Sequence, residues 1–228
     1  APLVKHEKIA GIVFTGSKKV GQWIYSEAAG KINHHFKSQL PVPKKVITEM
    51  GGKNAIIVTQ NCEMDETVSG VIASAFGHAG QKCSAASRVL VHKSVKEAFI
   101  SRLVSAVKDL QVGRADEAST FVNPLISAHD QARVRDIVKS AADEAIRFGG
   151  RILVDRSFEK LPGHCVGPAV VELPLARAKN PESWSQREIF GPVLHVIAYD
   201  HLMEAIEIFN STEYALTGGI FSQSQDDI

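Results

Sequence analysis

The most constraining feature of the sequence is a regular alternation between short apolar runs and longer segments with helical apolar spacing. Residues 9–14 form an apolar run, for example, and residues 18–30 follow it with a helical pattern. Alternating strands and helices of this length are typical of βαβ units, which place helices on the faces of a mostly parallel sheet. We therefore predict an α/β fold with a mostly parallel sheet and flanking helices.

The same alternation continues to the end of the chain. Further strands are predicted at residues 46–48, 55–58, 89–91, 152–154, 169–171 and 193–197. Further helices are predicted at residues 68–76, from 94 to about 110, from about 127 to 148, and at 202–209. In the second of these helices, Ser94 and Glu97 have the spacing of a capping box, and Ala98 is expected on the buried face. Residues 31–44 are expected to form a polar loop around Pro41 and Pro43.

Composition excludes several functional classes. The net charge of +1, from 26 basic and 25 acidic residues, gives no electrostatic argument for nucleic acid or an anionic membrane as a partner. No apolar run approaches the roughly 18 residues of a membrane span, and the first residues lack the apolar stretch of a secretory signal. No CxxC or HExxH spacing occurs, so no metal site is expected. The adjacent His34 and His35 are expected in a solvated loop.

The cysteine count indicates the redox compartment, and the chain ends indicate whether the sequence is a piece of a larger protein. Cys62, Cys83 and Cys165 cannot all pair, which favours free thiols in a reducing compartment. The chain opens almost directly into a strand and stops just after another strand-like run, so we expect an internal piece of a larger protein.

The first motif with chemical potential is FTGS, residues 14–17, with Gly21 four residues later. It lies between a predicted strand and a predicted helix, and a glycine turn at a helix N-terminus presents free N–H groups that suit phosphate. The sequence fits neither a P-loop nor the GxGxxG fingerprint, because Gln22 and Trp23 follow Gly21 and the second glycine is absent. An ordinary tight turn remains an open reading of this motif on its own.

Three further motifs follow. EMGGKN, residues 49–54, places Glu49 at a strand end before two glycines, which suits either a carboxylate held over a cavity or a solvated turn residue. GQKCSA, residues 80–85, places Cys83 in a polar loop beside Lys82, a charge that favours the thiolate. A pairing of Cys83 with His78 would indicate a hydrolase, although no Asn or Asp partner for the histidine is evident. EIFGPV, residues 188–193, combines a carboxylate with an aromatic ring before a Gly-Pro turn. The carboxylate could bind a ribose, and the aromatic side chain could pack against a flat ring.

Together, in this order, the four motifs resemble the aldehyde dehydrogenase superfamily, whose members carry FTGS-x-x-x-G, E-[LM]-G-G-K-N, G-Q-x-C and E-x-F-G-P. The resemblance covers essentially the whole chain. Within the superfamily, residues 74–88 and 214–222 look most like the 1-pyrroline-5-carboxylate dehydrogenases, which oxidise glutamate semialdehyde in proline catabolism.

The resemblance implies a role for each motif. Cys83 would attack the aldehyde carbon, backbone N–H at the cysteine and an asparagine upstream of this chain would hold the oxyanion, and Glu49 would activate the hydrolytic water. The residues implied to contact the cofactor are Thr15, Gly16, Ser17 and Gly21 at the pyrophosphate turn, Glu188 at the nicotinamide ribose and Phe190 beside the ring. Ser84 and Lys82 would anchor the substrate carboxylate.

The resemblance also implies the organisation of the molecule. Residues 1–50 would be the C-terminal part of an NAD(P)-binding domain, and residues 51–228 a catalytic domain that is incomplete at its C-terminus. The cofactor would be NAD, with NADP left open, and the full-length protein a homo-oligomer in the cytoplasm, or in the mitochondrial matrix of a eukaryote. The piece alone is expected to bind NAD weakly or not at all. The alternatives are an inert structural or oligomerisation fragment, a Cys83–His78 hydrolase, and another aldehyde dehydrogenase subfamily.

Overall fold

The computed structural model describes residues 2–29, 32–33 and 42–228. The chain divides into two compact units, Ala1–Gly51 and Gly52–Ile228. The predicted assignment of residues 1–50 to a cofactor domain and of residues 51–228 to a catalytic domain stays a prediction. No described helix is both long and apolar enough to cross a membrane.

The first unit is a small α/β layer. Its elements are α1 (Pro2–Lys5), β1 (Gly11–Thr15), α2 (Lys18–Ala28), β2 (Ile32–Asn33), β3 (Val42–Pro43) and β4 (Lys45–Glu49). Strands β1 and β4 are parallel, with Thr15 opposite Glu49 in the register. The apolar cluster of the unit consists of Val4, Ile24 and Ala28, with Ile12, Phe14 and Val46 packed against it.

Two expectations for this unit need correction or lie outside the structure. The run at residues 9–14 was expected to be a buried strand, yet Val13 of β1 is 77% exposed, because the two-stranded β1–β4 sheet packs its apolar cluster on one side. In the expected loop at residues 31–44, Pro43 belongs to β3, which pairs with β2 in antiparallel fashion. The expectations for Pro41 and for His34 and His35 lie outside the described residues.

The second unit is built on one six-stranded sheet. Its strands are β5 (Asn54–Val58), β6 (Ala86–His92), β7 (Arg151–Asp155), β8 (Ala169–Leu173), β9 (Val193–Tyr199) and β10 (Gly218–Phe221). The strand order is β10-β5-β6-β9-β8-β7, and every pair is parallel except β7–β8. The predicted α/β fold with a mostly parallel sheet is confirmed.

Helices cover both faces of this sheet. They are α3 (Met64–Phe76), α4 (Lys96–Asp109), α5 (Ala128–Arg147), α6 (Leu175–Ala178) and α7 (Leu202–Phe209). Residues of β5 alternate between the two apolar clusters: Ile56 and Val58 pack with α3, α4 and α5, whereas Ala55 and Ile57 pack with α6 and α7. This alternation is what a strand buried on both faces requires.

The predicted capping box of α4 is wrong. The N-cap is Val95, which makes no side-chain cap hydrogen bond. The hydroxyl of Ser94 lies 2.7 Å from His92 Nδ1 instead, and the Glu97 carboxylate pairs with Lys96 and Arg151. Ala98, expected on the buried face, is exposed.

Candidate active site

The predicted site residues of the second unit converge because of sheet topology. Asn54, Ala86, Val193 and Gly218 are the first residues of β5, β6, β9 and β10, which are mutually parallel neighbours. The amino ends of parallel strands meet at one edge of a sheet. The segments that precede these strands, which carry three of the four sequence motifs in whole or in part, therefore meet at that edge.

A left-handed stretch of backbone leads into the cysteine motif. After α3 ends at Phe76, His78 and Ala79 each have φ of 55° and Gly80 has φ of 67°. A Cβ on Gly80 would lie 2.3 Å from the carbonyl oxygen of Gly191, so only glycine fits there. The contact places the cysteine motif directly against the EIFGP motif.

Cys83 lies in a tight turn whose thiol side is open. The N–H of Ala85 donates to the carbonyl oxygen of Lys82 at 3.2 Å, which makes Cys83 and Ser84 the two central residues of a hydrogen-bonded turn. Lys82, Cys83 and Ser84 are all exposed, and the cysteine is a free thiol. Within the described residues, neither Cys83 N–H nor Ser84 N–H donates a hydrogen bond. The turn therefore presents a nucleophile beside unused backbone donors.

Side chains hold this turn on both sides. Upstream, the Gln81 amide donates to the carbonyl oxygen of Pro124 at 3.2 Å and accepts from the N–H of Ile126 at 3.1 Å. Downstream, the Asn54 amide donates to the carbonyl oxygens of Cys83 at 2.7 Å and Ala85 at 2.9 Å. The exposed turn is thus fixed to the segment of residues 124–126 on one side and to the buried Asn54 on the other.

Glu188 and Phe190 lie in the neighbouring motif. Glu188 Oε1 accepts a hydrogen bond from the N–H of Gly52 at 3.1 Å, which leaves its second oxygen available as an acceptor. Phe190 has φ of 56° and is 43% exposed, an unusual state for a large aromatic residue. Arg133 fixes the intervening residue by donating to the carbonyl oxygen of Ile189 at 2.8 Å. Strained backbone with an exposed ring is common where a ligand packs.

Ser84 borders a cavity at the same sheet edge. The cavity has a volume of about 290 Å³, and its polar lining includes Ser74, Ser84 and Thr217 beside Asn54. Ser84 is thus placed to offer a hydroxyl to a small polar ligand. No group of three or more metal-ligating side chains occurs among residues 2–29, 32–33 and 42–228.

The remaining predicted residues belong to the first unit. Ser17 caps α2 by accepting from the N–H of Val20 at 3.4 Å, and the N–H of Gly16 donates to the carbonyl oxygen of Glu49 at 3.0 Å. Strand pairing thus brings Thr15 and the pyrophosphate turn next to Glu49, whose side chain is exposed. Close packing explains both glycines: a Cβ on Gly16 would lie 2.5 Å from the Phe14 ring, and one on Gly21 would lie 2.7 Å from Met50.

Three buried polar residues near the site were missed by the sequence reasoning. Lys53 is fully buried without a hydrogen-bond partner for Nζ among the described residues, and desolvation, with the charge of Arg88, lowers its pKa from 10.5 to about 7. Arg88 donates to the carbonyl oxygen of Lys53 at 2.7 Å and to that of Ile208 at 2.8 Å. His195 is buried in β9. Desolvation and, to a lesser extent, the positive charge of Lys53 hold the pKa of His195 well below 6.5. No local sequence signal reveals such burial, because lysine and arginine are normally exposed.

Comparison with known proteins agrees with this architecture. The sequence model of the aldehyde dehydrogenase family matches residues 1–228. The 1-pyrroline-5-carboxylate dehydrogenase of Bacillus licheniformis is 34% identical over 226 residues, which are 99% of this chain and 41% of that protein. A Thermus 1-pyrroline-5-carboxylate dehydrogenase solved with bound NAD superposes with a TM-score of 0.84 at 33% identity, over 99% of this chain and 41% of that one. Proline utilization A from Bdellovibrio bacteriovorus superposes with a TM-score of 0.84 at 37% identity, over 99% of this chain and 22% of that one.

Proposed function

Because this chain belongs to the aldehyde dehydrogenase family, we propose that it supplies the nucleophile and the general base for oxidation of an aldehyde to a carboxylic acid. The observation that carries the proposal is Cys83: an exposed free thiol in a turn fixed from both sides, with unused backbone N–H groups beside it. The chain spans about two-fifths of the length of the curated relatives it matches, 41% in the Bacillus licheniformis protein.

Every step except hydride transfer has a proposed residue in this chain. The Cys83 thiolate attacks the aldehyde carbon, a C–S bond forms, and the carbonyl electrons move to oxygen. Backbone N–H groups of the turn stabilise that oxyanion. After hydride is removed, the carbon is bound to Cys83 as a thioester. Glu49 removes a proton from water, the water attacks the thioester, and the acid leaves as the thiolate is restored.

NAD, when bound, accepts the hydride, and the residues present fit such a cofactor. The N-terminus of α2 offers N–H groups for phosphate at the turn formed by Gly16 and Ser17. Glu188 keeps one oxygen free for a ribose hydroxyl, and Phe190 presents an exposed aromatic face. We propose NAD on this chemistry and on the NAD-bound Thermus relative. The sequence leaves NADP open.

The proposed substrate is L-glutamate γ-semialdehyde, the hydrolysed form of 1-pyrroline-5-carboxylate. The names of the Bacillus licheniformis and Thermus relatives support it. Ser84, which borders the polar cavity, and the exposed Lys82 are proposed to bind the substrate carboxylate. A full-length homo-oligomer acting on a small-molecule aldehyde is part of the same proposal.

A second candidate is that the chain by itself is an inert structural piece. Its coverage of 41% of the Bacillus licheniformis protein favours this reading. Trp23, which is 37% exposed in α2, reports on it directly. NAD-dependent quenching of Trp23 fluorescence is expected only if the chain binds the cofactor, and its absence at millimolar NAD would favour the inert reading of the isolated chain.

Ester hydrolysis tests the proposed roles without requiring NAD. With p-nitrophenyl acetate, Cys83 should give a burst of p-nitrophenol followed by slow turnover. Cys83→Ser should lose the burst, whereas Glu49→Gln should keep the burst and lose the slow turnover. His78→Ala should change neither phase, because His78 is exposed and has no role in this mechanism. Loss of the burst in His78→Ala with full activity in Glu49→Gln would instead establish a Cys–His hydrolase.

A further inference from the structure

Asn54 makes an unusual set of contacts with the cysteine turn. Besides the two hydrogen bonds that it donates to the carbonyl oxygens of Cys83 and Ala85, its own Oδ1 accepts from the N–H of Thr217 at 3.2 Å. The residue is only 4% exposed. One amide therefore joins the amino ends of β5, β6 and β10.

The hydrogen bond from Asn54 to the Cys83 carbonyl holds the central peptide of the turn, which is the peptide that flips most easily. The peptide between Cys83 and Ser84 is the central peptide of the turn closed by Ala85 and Lys82. Type I and type II turns differ mainly by a flip of that central peptide, which reverses its C=O and N–H. With the Cys83 carbonyl held by Asn54, the Ser84 N–H points away from buried Asn54, because the two groups of a trans peptide are opposed.

The backbone of Gly52 also lies close to this carbonyl and to the Asn54 amide that holds it. A Cβ on Gly52 would lie 2.5 Å from the carbonyl oxygen of Cys83, so the backbone of the EMGGKN segment packs directly on it. The segment is itself held in place, since Glu188 accepts from the N–H of Gly52 and Arg88 donates to the carbonyl oxygen of Lys53. The segment behind Asn54 is therefore hydrogen-bonded to two other parts of the unit.

We propose that Asn54 is a positioning residue for the nucleophile turn: it locks the Cys83–Ser84 peptide in the orientation that keeps the Ser84 N–H available to an oxyanion. The proposal rests on the proposed role of Cys83. Asn54 touches neither substrate nor cofactor in this account. It acts through the peptide that it holds.

Two reactions of the same thiol separate positioning from general structure. In acylation by p-nitrophenyl acetate, sulfur attacks the carbonyl carbon, an oxyanion forms, and p-nitrophenolate leaves with its electron pair. In alkylation by iodoacetamide, sulfur displaces iodide and no oxyanion forms. The ratio of the two rate constants at Cys83, mapped by peptide mass spectrometry, reports on the oxyanion donors alone.

Asn54→Asp is the informative variant, because it keeps the shape but replaces the two donated hydrogen bonds by repulsion between oxygens. We expect its acylation rate constant to fall about tenfold or more, while alkylation stays within about threefold, since only acylation uses oxyanion donors. Gly52→Ala, which displaces the same carbonyl, should show the same pattern. The matched control is Asn180→Asp: Asn180 is exposed and its side chain only accepts, from the N–H of Glu182 at 2.8 Å.

Each outcome decides one question. If Cys83 is acylated in the wild-type chain but both variants keep both rate constants at their wild-type values, Asn54 has no positioning role and the proposed function stands. If both rate constants fall in parallel, the effect is a general loss of structure, and the inference is wrong. If the wild-type chain is not acylated at Cys83, the proposed function is wrong and this inference is lost with it.

Discussion

Replacing the buried Lys53 by methionine should remove the contribution that this lysine is expected to make to the pH dependence of stability. Burial lowers the pKa of Lys53 from 10.5 to about 7, whereas in the unfolded chain it returns to its ordinary value. Between these two values the unfolded state binds more protons than the folded state, so the free energy of unfolding rises with pH. This sign is opposite to that of a lysine stabilised by a salt bridge.

The magnitude follows from the same two values. A difference of one pKa unit corresponds to about 1.4 kcal/mol, so a displacement from 10.5 to about 7 corresponds to roughly 5 kcal/mol between pH 6 and pH 10.5. Lys53→Met has a similar volume and no charge. Its stability relative to the wild type should therefore be greatest near pH 6 and decline by about 1.4 kcal/mol per pH unit above pH 7.

Urea unfolding at pH 6, 7, 8 and 9 measures this difference directly. Groups that do not interact with Lys53 titrate alike in both proteins and cancel when the two free energies are subtracted. Lys139→Met in α5 is the matched control, because Lys139 is exposed and should show no such trend. A constant difference between wild type and Lys53→Met across this pH range would show that burial does not lower the pKa of Lys53.

Two further predictions concern the packing around the site. Gly80→Ala should lower the free energy of unfolding by about 2–4 kcal/mol, because it adds a clash with Gly191 to the cost of a left-handed φ. Gly149→Ala, where φ is 81° but no atom lies within 4 Å of the added Cβ, should lower it by only about 1–2 kcal/mol. Urea unfolding measures both values. His195→Leu should flatten the loss of stability on acidification: since burial holds the pKa of His195 well below 6.5, the unfolded state takes up a proton first as pH falls below that value. Equal costs for the two glycine variants, or an unchanged acid limb in thermal unfolding of His195→Leu, would contradict these two expectations.

The periodicity of the sequence was sufficient for the longer helices and most strands of the second unit, but not for short elements such as β3 and α6 or for the arrangement of the strands. The amphipathic pattern from Val68 to Phe76 and the apolar run from Ala55 to Val58 identify α3 and β5, because each depends on local spacing. The strand order β10-β5-β6-β9-β8-β7 depends on which strands pair across long separations, and no local pattern encodes it. The capping box predicted at Ser94 is wrong because the serine hydroxyl pairs with His92 instead.

The candidate site, too, could be predicted from the sequence only in part. Cys83 and Glu188 were singled out by motifs whose residue types suggest chemistry. Asn54 stood inside a quoted motif, yet its role emerges only from its contacts with Cys83 and with Thr217, which is 163 residues away in sequence. The burial of Lys53 could not be predicted either, because a lysine between glycine and asparagine is expected to be solvated.

Trapping of the acyl group on the chain tests the proposed roles of Cys83 and Glu49 together. The Glu49→Gln chain is mixed with p-nitrophenyl acetate, quenched at the end of the burst and digested, and the acetylated peptide is identified by mass spectrometry. We expect one acetyl group on Cys83, which accumulates in Glu49→Gln and is absent in Cys83→Ser. Acetylation of Cys62 in place of Cys83, or equal accumulation with and without the Glu49 carboxylate, would contradict it.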